Sequence, residues 1–195
     1  MTDDALWYEA AHVVGVTNAL NVVADAAAGT LGLEAVLPAV PEADAAPEAR
    51  ASLAEIREFY GGAAVPLPFR IAAHDPGYLA DLWAATRRAF ADNRLSRRLK
   101  AALAFAVSVT TQSPFGAAFH GQEMRRLGVA TSGVLEILGV AQMFSSYTKI
   151  ADTLQLEPDM GHLAPVDPSP APGGAFQEPR SGSVGAARPR GRAPA

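Results

Sequence analysis

Residues 95–129 read LSRRLKAALAFAVSVTTQSPFGAAFHGQEMRRLGV, and this stretch decides the fold. Ser96 is typical of a helix N-cap, because its hydroxyl can accept a hydrogen bond from a free backbone N–H of the first turn. Ser113 followed by Pro114 starts a second helix in the same way, and Gly128 is typical of its C-terminal end. The first helix carries an apolar stripe at helical spacing: Leu99, Leu103, Ala106 and Val107. The stretch therefore predicts two consecutive helices.

The segments on either side of this pair also read as helices. Asp75 and Pro76 supply an N-cap and a first-turn proline for a helix that runs through Phe90. Thr131 or Ser132 opens a long helix after the pair. Two further helices are predicted upstream, over residues 4–27 and 47–60. Aromatic residues make up only 7% of a chain rich in alanine, leucine and valine, and no strand-like alternation is visible, so the sequence predicts an all-α fold.

The second helix of the pair contains a histidine at a recognisable spacing. Residues 112–120 and their flanks resemble the core of the carboxymuconolactone decarboxylase and alkylhydroperoxidase D family, whose peroxidase branch carries the motif C-x-x-C-x-x-x-H. Counting back from His120 places the two cysteine positions at Ser113 and Gly116. A glutamate that the peroxidase branch carries on the preceding helix corresponds to Ala101. The chain has no cysteine at any position.

The resemblance thus implies a peroxidase site that retains one residue of four. A peroxidatic thiolate attacks the O–O bond and then forms a disulfide with a resolving thiol. Serine stays protonated near neutral pH and has no sulfenic state, and glycine has no side chain, so we expect no thiol peroxidase activity. For the fold, the resemblance implies an alkylhydroperoxidase D-like bundle of about six helices that associates as a homo-oligomer.

Two of the predicted helices repeat each other without a gap. Glu9–Asp25 aligns with Glu136–Asp152, and both segments open with Glu and end with Ala-Asp. This self-similarity indicates an internal duplication and predicts equal packing environments for the two helices. The repeated pattern also resembles the closing helix of a family unit. We therefore expect one helical domain over residues 1–161, whose N-terminal half-unit is truncated.

Length and composition limit the number of domains, the cellular location and the partners that the chain can have. A chain of 195 residues with a net charge of −4 is long enough for one core and leaves little room for a second. No run approaches the roughly 20 apolar residues needed to span a bilayer, so no membrane partner is expected. The acidic N-terminus and the lack of cysteine favour the cytoplasm. Residues 162–195 are rich in Pro, Gly, Ala and Ser and predict a disordered tail, whose few scattered arginines do not predict nucleic-acid binding.

His120 is the candidate catalytic residue, because a histidine can act as a general acid or base near pH 7. The competing interpretation is a polar group retained in helix packing. Glu123 lies one helical turn further on and either orients His120 or faces solvent. Ser113 shares a helix face with His120, but as an N-cap its hydroxyl is better explained by bonding free backbone N–H groups than by nucleophilic catalysis.

Two functional hypotheses follow. In the first, a pocket around His120 binds a small organic molecule, with at most cofactor-independent acid–base chemistry of the decarboxylase kind. In the second, the chain is a non-catalytic oligomeric scaffold, a pseudoenzyme of the family. A pocket near His120 that is polar and open favours the first, and one filled by large apolar side chains favours the second: Phe115, Phe119, Met124 and Met143. The histidines lack metal-ligand spacing, so no metal is expected. The resemblance implies no cofactor, since the decarboxylase branch works without one.

Overall fold

The computed structural model describes residues 4–27, 34–62 and 64–156. These residues form seven α-helices and no strand, which confirms the all-α prediction. The helices are α1 (Asp4–Ala27), α2 (Pro47–Phe59), α3 (Leu67–Ala72), α4 (Pro76–Phe90), α5 (Arg97–Thr110), α6 (Pro114–Arg126) and α7 (Thr131–Leu154). A short 3-10 helix, Glu42–Asp44, precedes α2. The tail predicted over residues 162–195 lies outside the described residues.

Most of the predicted caps lie where the sequence places them. The long helix α7 is the exception, because its N-cap is Ala130, which makes no side-chain capping bond, and Thr131 is already its first helical residue. Asp75 Oδ1 accepts a hydrogen bond from the N–H of Tyr78 at 3.0 Å, and Ser96 Oγ accepts one from Leu99 at 3.3 Å. Gly128, with a φ of +79°, follows the last turn of α6. Each contact is local along the chain, which is why capping patterns predicted these boundaries.

The larger of two apolar cores lies where α1 packs against α3, α4, α5 and α6, and α2 packs against α4. Aromatic rings fill its centre. Trp83 meets Phe59 and Phe69 edge-on, with centroids 5.3 and 6.1 Å apart. The indole N–H of Trp83 donates to Glu55 at 2.9 Å, so the ring is buried without leaving its donor unpaired.

A buried ion pair fixes α1 to α5. The Lys100 ammonium has no exposed surface and lies 2.5 Å from the Glu9 carboxylate, and it also donates to the carbonyl of Ala91 at 2.5 Å. Glu9 accepts two further hydrogen bonds, from the backbone N–H groups of Arg94 and Leu95, each at 3.2 Å. These contacts pair both charges of the ion pair. Such pairing is needed because a buried charge without a partner costs several kcal/mol of stability.

The prediction that the repeated helices have equal surroundings is wrong for the single chain. In the repeat alignment, the buried α1 residues Val13, Val16 and Leu20 correspond to α7 residues that are half exposed or more: Val140, Met143 and Tyr147. The physical reason is the number of neighbours, because α1 packs against four helices and α7 packs mainly against α5.

The apolar stripe predicted for α5 is not its most buried face. Leu99 and Leu103 are half-buried, and the fully buried side of the helix carries smaller residues together with one aromatic: Ala101, Ala102, Ala104, Phe105 and Ser108. The stripe instead forms one wall of an open groove of about 450 Å³ between α5 and α7. This groove carries little polar surface, because all of its lining residues except Thr110 and Glu136 are aliphatic or aromatic.

Candidate functional site

Ser113, at the first cysteine position implied by the resemblance, is buried at the N-terminus of α6. Its Oγ accepts a hydrogen bond from the N–H of Gly116 at 2.9 Å. This is the N-cap role predicted from the sequence, and it commits the hydroxyl to the helix end. A nucleophilic role would require the hydroxyl to give up that contact.

Gly116, at the second cysteine position, lies where α1, α5 and α6 approach most closely. A Cβ atom on this residue would lie 2.2 Å from Oδ1 of Asn21 and 2.4 Å from Oγ of Ser108. The Asn21 amide donates to Ser108 Oγ at 3.0 Å, and Ser108 in turn donates to the carbonyl of Ala104 at 2.8 Å. A polar contact between helices therefore occupies the volume that a cysteine side chain would need.

Ala101, at the position of the family's glutamate, is fully buried in the smaller apolar core. Its companions there are Ala102, Phe105, Met124 and Val129. A carboxylate at this position would be surrounded by apolar side chains, which strongly disfavour its charged form. All three positions thus have structural roles in this chain.

His120 has only 1% of its surface exposed. Its ring stacks on Phe90 at a centroid distance of 5.8 Å and meets Phe119 edge-on at 5.0 Å. Among the residues that the structure describes, neither of its ring nitrogens has a hydrogen-bond partner. Burial lowers the pKa of His120 to about 4, against a smaller opposing effect of the Glu123 carboxylate, so the ring is neutral near pH 7.

Four apolar side chains were expected to show whether the pocket near His120 is open or filled, and only two of them lie beside it. Phe119 contacts His120, and Phe115 stacks on Phe119 at 5.4 Å. Met124 is fully buried in the neighbouring core. Met143, in contrast, lies half exposed on α7. The surroundings of His120 are therefore filled and aromatic.

Both sequence interpretations of Glu123 are wrong. Its side chain is buried instead of facing solvent, and it bonds two arginines instead of His120. The Arg97 guanidinium donates to Oε1 at 2.8 Å, while Arg126 donates to Oε1 at 2.6 Å and to Oε2 at 2.8 Å. A carboxylate with such charge-assisted bonds has the pairing that burial demands.

Arg97 extends this network to the end of α2. Its guanidinium carbon lies 3.7 Å from the centroid of the Phe59 ring. The guanidinium also donates a 2.7 Å hydrogen bond to the backbone carbonyl of the same residue. Tyr60 lies beside it, with its ring 5.1 Å from that of Phe119. Burial, and then the charge of Glu123, raise the pKa of Tyr60, and its hydroxyl has no hydrogen-bond partner among the described residues.

Sequence reasoning missed most of these polar partners. Arg126 carried a usable signal, because it lies three residues after Glu123 on the same helix. Arg97, Tyr60 and Asn21 carried none, since their contacts join segments far apart in the chain.

The arrangement has little means of acting on a substrate. A general acid or base must reach the reacting group, and the imidazole of His120 is closed off from solvent by aromatic rings. Within the described part of the chain, no group of three histidine, aspartate or glutamate side chains is placed to hold a metal ion.

Residues 76–156 match the sequence model of the carboxymuconolactone decarboxylase family. The match begins at the first residue of α4 and includes α4, α5, α6 and α7. Neither a curated protein nor a solved structure matches the chain significantly. None of the helices in the described ranges is long and apolar enough to cross a membrane.

Proposed function

We propose that this chain, which belongs to the carboxymuconolactone decarboxylase family through residues 76–156, is a cysteine-free member that acts as a non-catalytic assembly subunit. The family resemblance implies that the chain associates into a homo-oligomer. We propose that forming this assembly is the function of the chain. It is thus the second of the two hypotheses drawn from the sequence.

One observation carries the proposal: the close approach of Gly116 to Asn21 and Ser108. An inactive site that had only lost its cysteines would leave their volume open to solvent or ligand. Here the volume beside Gly116 is filled by an interhelical hydrogen bond, and Ser113, which lines an open surface depression, is used as a helix cap. Together with the enclosed His120, this contact makes the former site part of the core that holds α1, α5 and α6 together.

Assays of the purified chain test this proposal. We expect hydroperoxide consumption with a dithiol reductant to remain at the rate of the buffer, because no residue can form a sulfenate. We expect no release of carbon dioxide from lactone acids, since His120 cannot reach them. Light scattering should show a mass of two or more chains. Turnover in either assay, or a monomeric mass, contradicts the proposal.

A second candidate function is the binding of a small organic ligand at His120. The observation that favours it is the pair of buried polar groups on His120 and Tyr60 that lack hydrogen-bond partners among the described residues. Buried polar groups are nearly always paired, so a molecule whose donor and acceptor reached these two side chains would be stabilised there.

A thermal-shift screen with aromatic-degradation lactones and related acids tests the ligand hypothesis. A ligand bound at this place should raise the melting temperature of the natural chain. It should leave the melting temperature of the His120→Phe variant unchanged, because that variant has no ring nitrogen to bond. Equal shifts in both proteins would place the binding elsewhere.

A further inference from the structure

The outer face of α7 carries a regular apolar repeat. Val140, Met143, Tyr147, Ile150 and Leu154 are spaced alternately by three and four residues, and we call them the α7 seam. Each of these side chains is between 50% and 63% exposed. A three-four spacing places side chains along one side of a helix and is the pattern by which two helices pair. Such an apolar repeat is not expected on a helix face that is exposed to water.

The surroundings of the seam are apolar as well. Three further large side chains on or just beyond α7 are at least 60% exposed: Leu135, Phe144 and Leu156. Residues 137–148 contain no charged residue, which is unusual for an exposed helix. The five seam side chains alone present on the order of 500 Å² of surface on one side of the helix, the size of contiguous apolar patch that marks a protein–protein contact.

The internal repeat indicates what such a face does when it is covered. Val140, Met143 and Tyr147 align with Val13, Val16 and Leu20, and none of these three α1 residues is more than 8% exposed. The same face is thus covered by neighbouring helices in α1 and uncovered in α7.

We infer that the α7 seam packs against the α7 seam of a second copy of this chain. A heptad-like face is best complemented by another helix with the same spacing. The equivalent face of α1 is not available for this pairing, because its residues are already buried. A two-fold pairing brings identical patches together and closes after two chains, which leaves no apolar seam exposed. This inference rests on the proposed assembly function and identifies the surface that performs it.

Charge substitutions on the seam test the inference in the full chain. Met143→Lys and Ile150→Lys each place a charge in the pairing face, and because both side chains are half exposed, the fold should tolerate them. We expect the dimer affinity to fall about tenfold or more for each, as for a charge inserted at an interface centre. Ser145→Lys is the matched control and should leave the affinity unchanged, because Ser145 is exposed and helical spacing places it on the side of α7 opposite the seam. Light scattering over a dilution series measures the affinities.

Because the chain has no cysteine, a single introduced cysteine can form a disulfide only with another copy. We expect at least one of Val140→Cys, Met143→Cys and Tyr147→Cys to cross-link under mild oxidation, and Ser145→Cys to remain unlinked. The position that links also reports the register of the two helices.

The outcomes separate this inference from the proposed function. If the natural chain is oligomeric but neither lysine variant weakens the oligomer and no seam cysteine cross-links, the assembly function stands and the α7 pairing is wrong. If the natural chain is a monomer, both fail. An unchanged far-UV circular dichroism spectrum in the lysine variants is needed to exclude unfolding as the cause of a lost dimer.

Discussion

Gly116 lies so close to Asn21 that a Cβ atom on the glycine would be 2.2 Å from the amide oxygen. Real Cβ atoms do not approach another heavy atom to that distance, and Ser108 on a third helix closes the remaining space. The three helices therefore meet with no room for a side chain at this position. This close approach also explains why the second cysteine position holds the one residue that has no side chain.

Gly116→Ala should therefore destabilise the chain although alanine favours helix. Overpacking of this kind costs about 1–3 kcal/mol of unfolding free energy, more than the gain of up to about 1 kcal/mol in helix propensity. Gly121→Ala in the same helix is the matched control, because its Cβ would meet the Phe105 ring at an ordinary 3.6 Å. Urea denaturation of both variants measures the difference. Equal stability of the two variants would contradict the close approach.

Restoring both cysteines should not restore a peroxidase. In the double variant Ser113→Cys with Gly116→Cys, the second sulfur has no space, and the first removes the N-cap of α6, which costs about 1 kcal/mol. We expect lower stability and no hydroperoxide turnover with a dithiol. Turnover at a measurable rate would mean that the site still has the room and the solvent access that we exclude.

His120 should make the stability of the chain depend on pH. Its pKa is lowered by burial from 6.5 to about 4, so between these values the unfolded chain binds more protons than the folded one. Stability is then lost as the pH falls through this window, with a slope of up to about 1.4 kcal/mol per pH unit. Urea melts across the window measure the slope.

The variant His120→Phe should flatten that slope, because a phenyl ring fits between Phe90 and Phe119 and carries no titrating group. Near neutral pH the variant should be at least as stable as the natural chain, since no buried nitrogen is left unpaired. His12→Gln is the control, as its side chain is only partly buried. A slope that survives in His120→Phe would show that another group causes it.

The sequence was sufficient for features that depend on neighbours along the chain. The caps at Asp75, Ser96 and Ser113, and the C-terminal glycine of α6, each act within a few residues, so pattern reasoning located them. It could not show which apolar face is buried. The stripe of α5 and the seam of α7 both have core-like spacing, but the described chain supplies no helix to cover the seam.

The candidate site was harder to predict, because its polar partners come from distant segments. Glu123 looked like a surface residue since nothing nearby in sequence requires its burial. The charges that stabilise its burial come from Arg126, three residues later, and from Arg97, 26 residues earlier, and only the first of these lies close enough in the sequence to be noticed. His120 could be singled out by its spacing, but its stacking on Phe90 depends on α4, which the motif does not include.

Removing the charge of Glu123 should destabilise the chain strongly. In Glu123→Gln, Arg97 keeps its carbonyl and ring contacts but loses its counter-ion, and its side chain is only 17% exposed. We expect a loss of about 3 kcal/mol in urea denaturation, typical of one partner removed from a buried pair. Arg87→Gln, which breaks the exposed pair with Glu55, is the control and should change stability by less than about 1 kcal/mol.

A substitution of Lys100 tests whether the repeated helices α1 and α7 differ in their electrostatic environments. Lys100→Met keeps the length of the side chain but leaves the buried Glu9 carboxylate without its cation and the Ala91 carbonyl without its donor. We expect about 3–5 kcal/mol of destabilisation, with α1 detaching first because this pair joins it to α5. Hydrogen exchange should show faster exchange in α1 than in α2 or α4.

The control for this change comes from the repeat itself. Glu136 aligns with Glu9, but it is exposed at the edge of the groove between α5 and α7. Glu136→Gln should therefore leave the unfolding free energy of the monomeric unit almost unchanged, whereas Glu9→Gln should weaken it nearly as much as Lys100→Met. If both glutamates proved equally important, the aligned helices would have equivalent electrostatic environments, and the difference in burial between α1 and α7 would not describe the protein in solution.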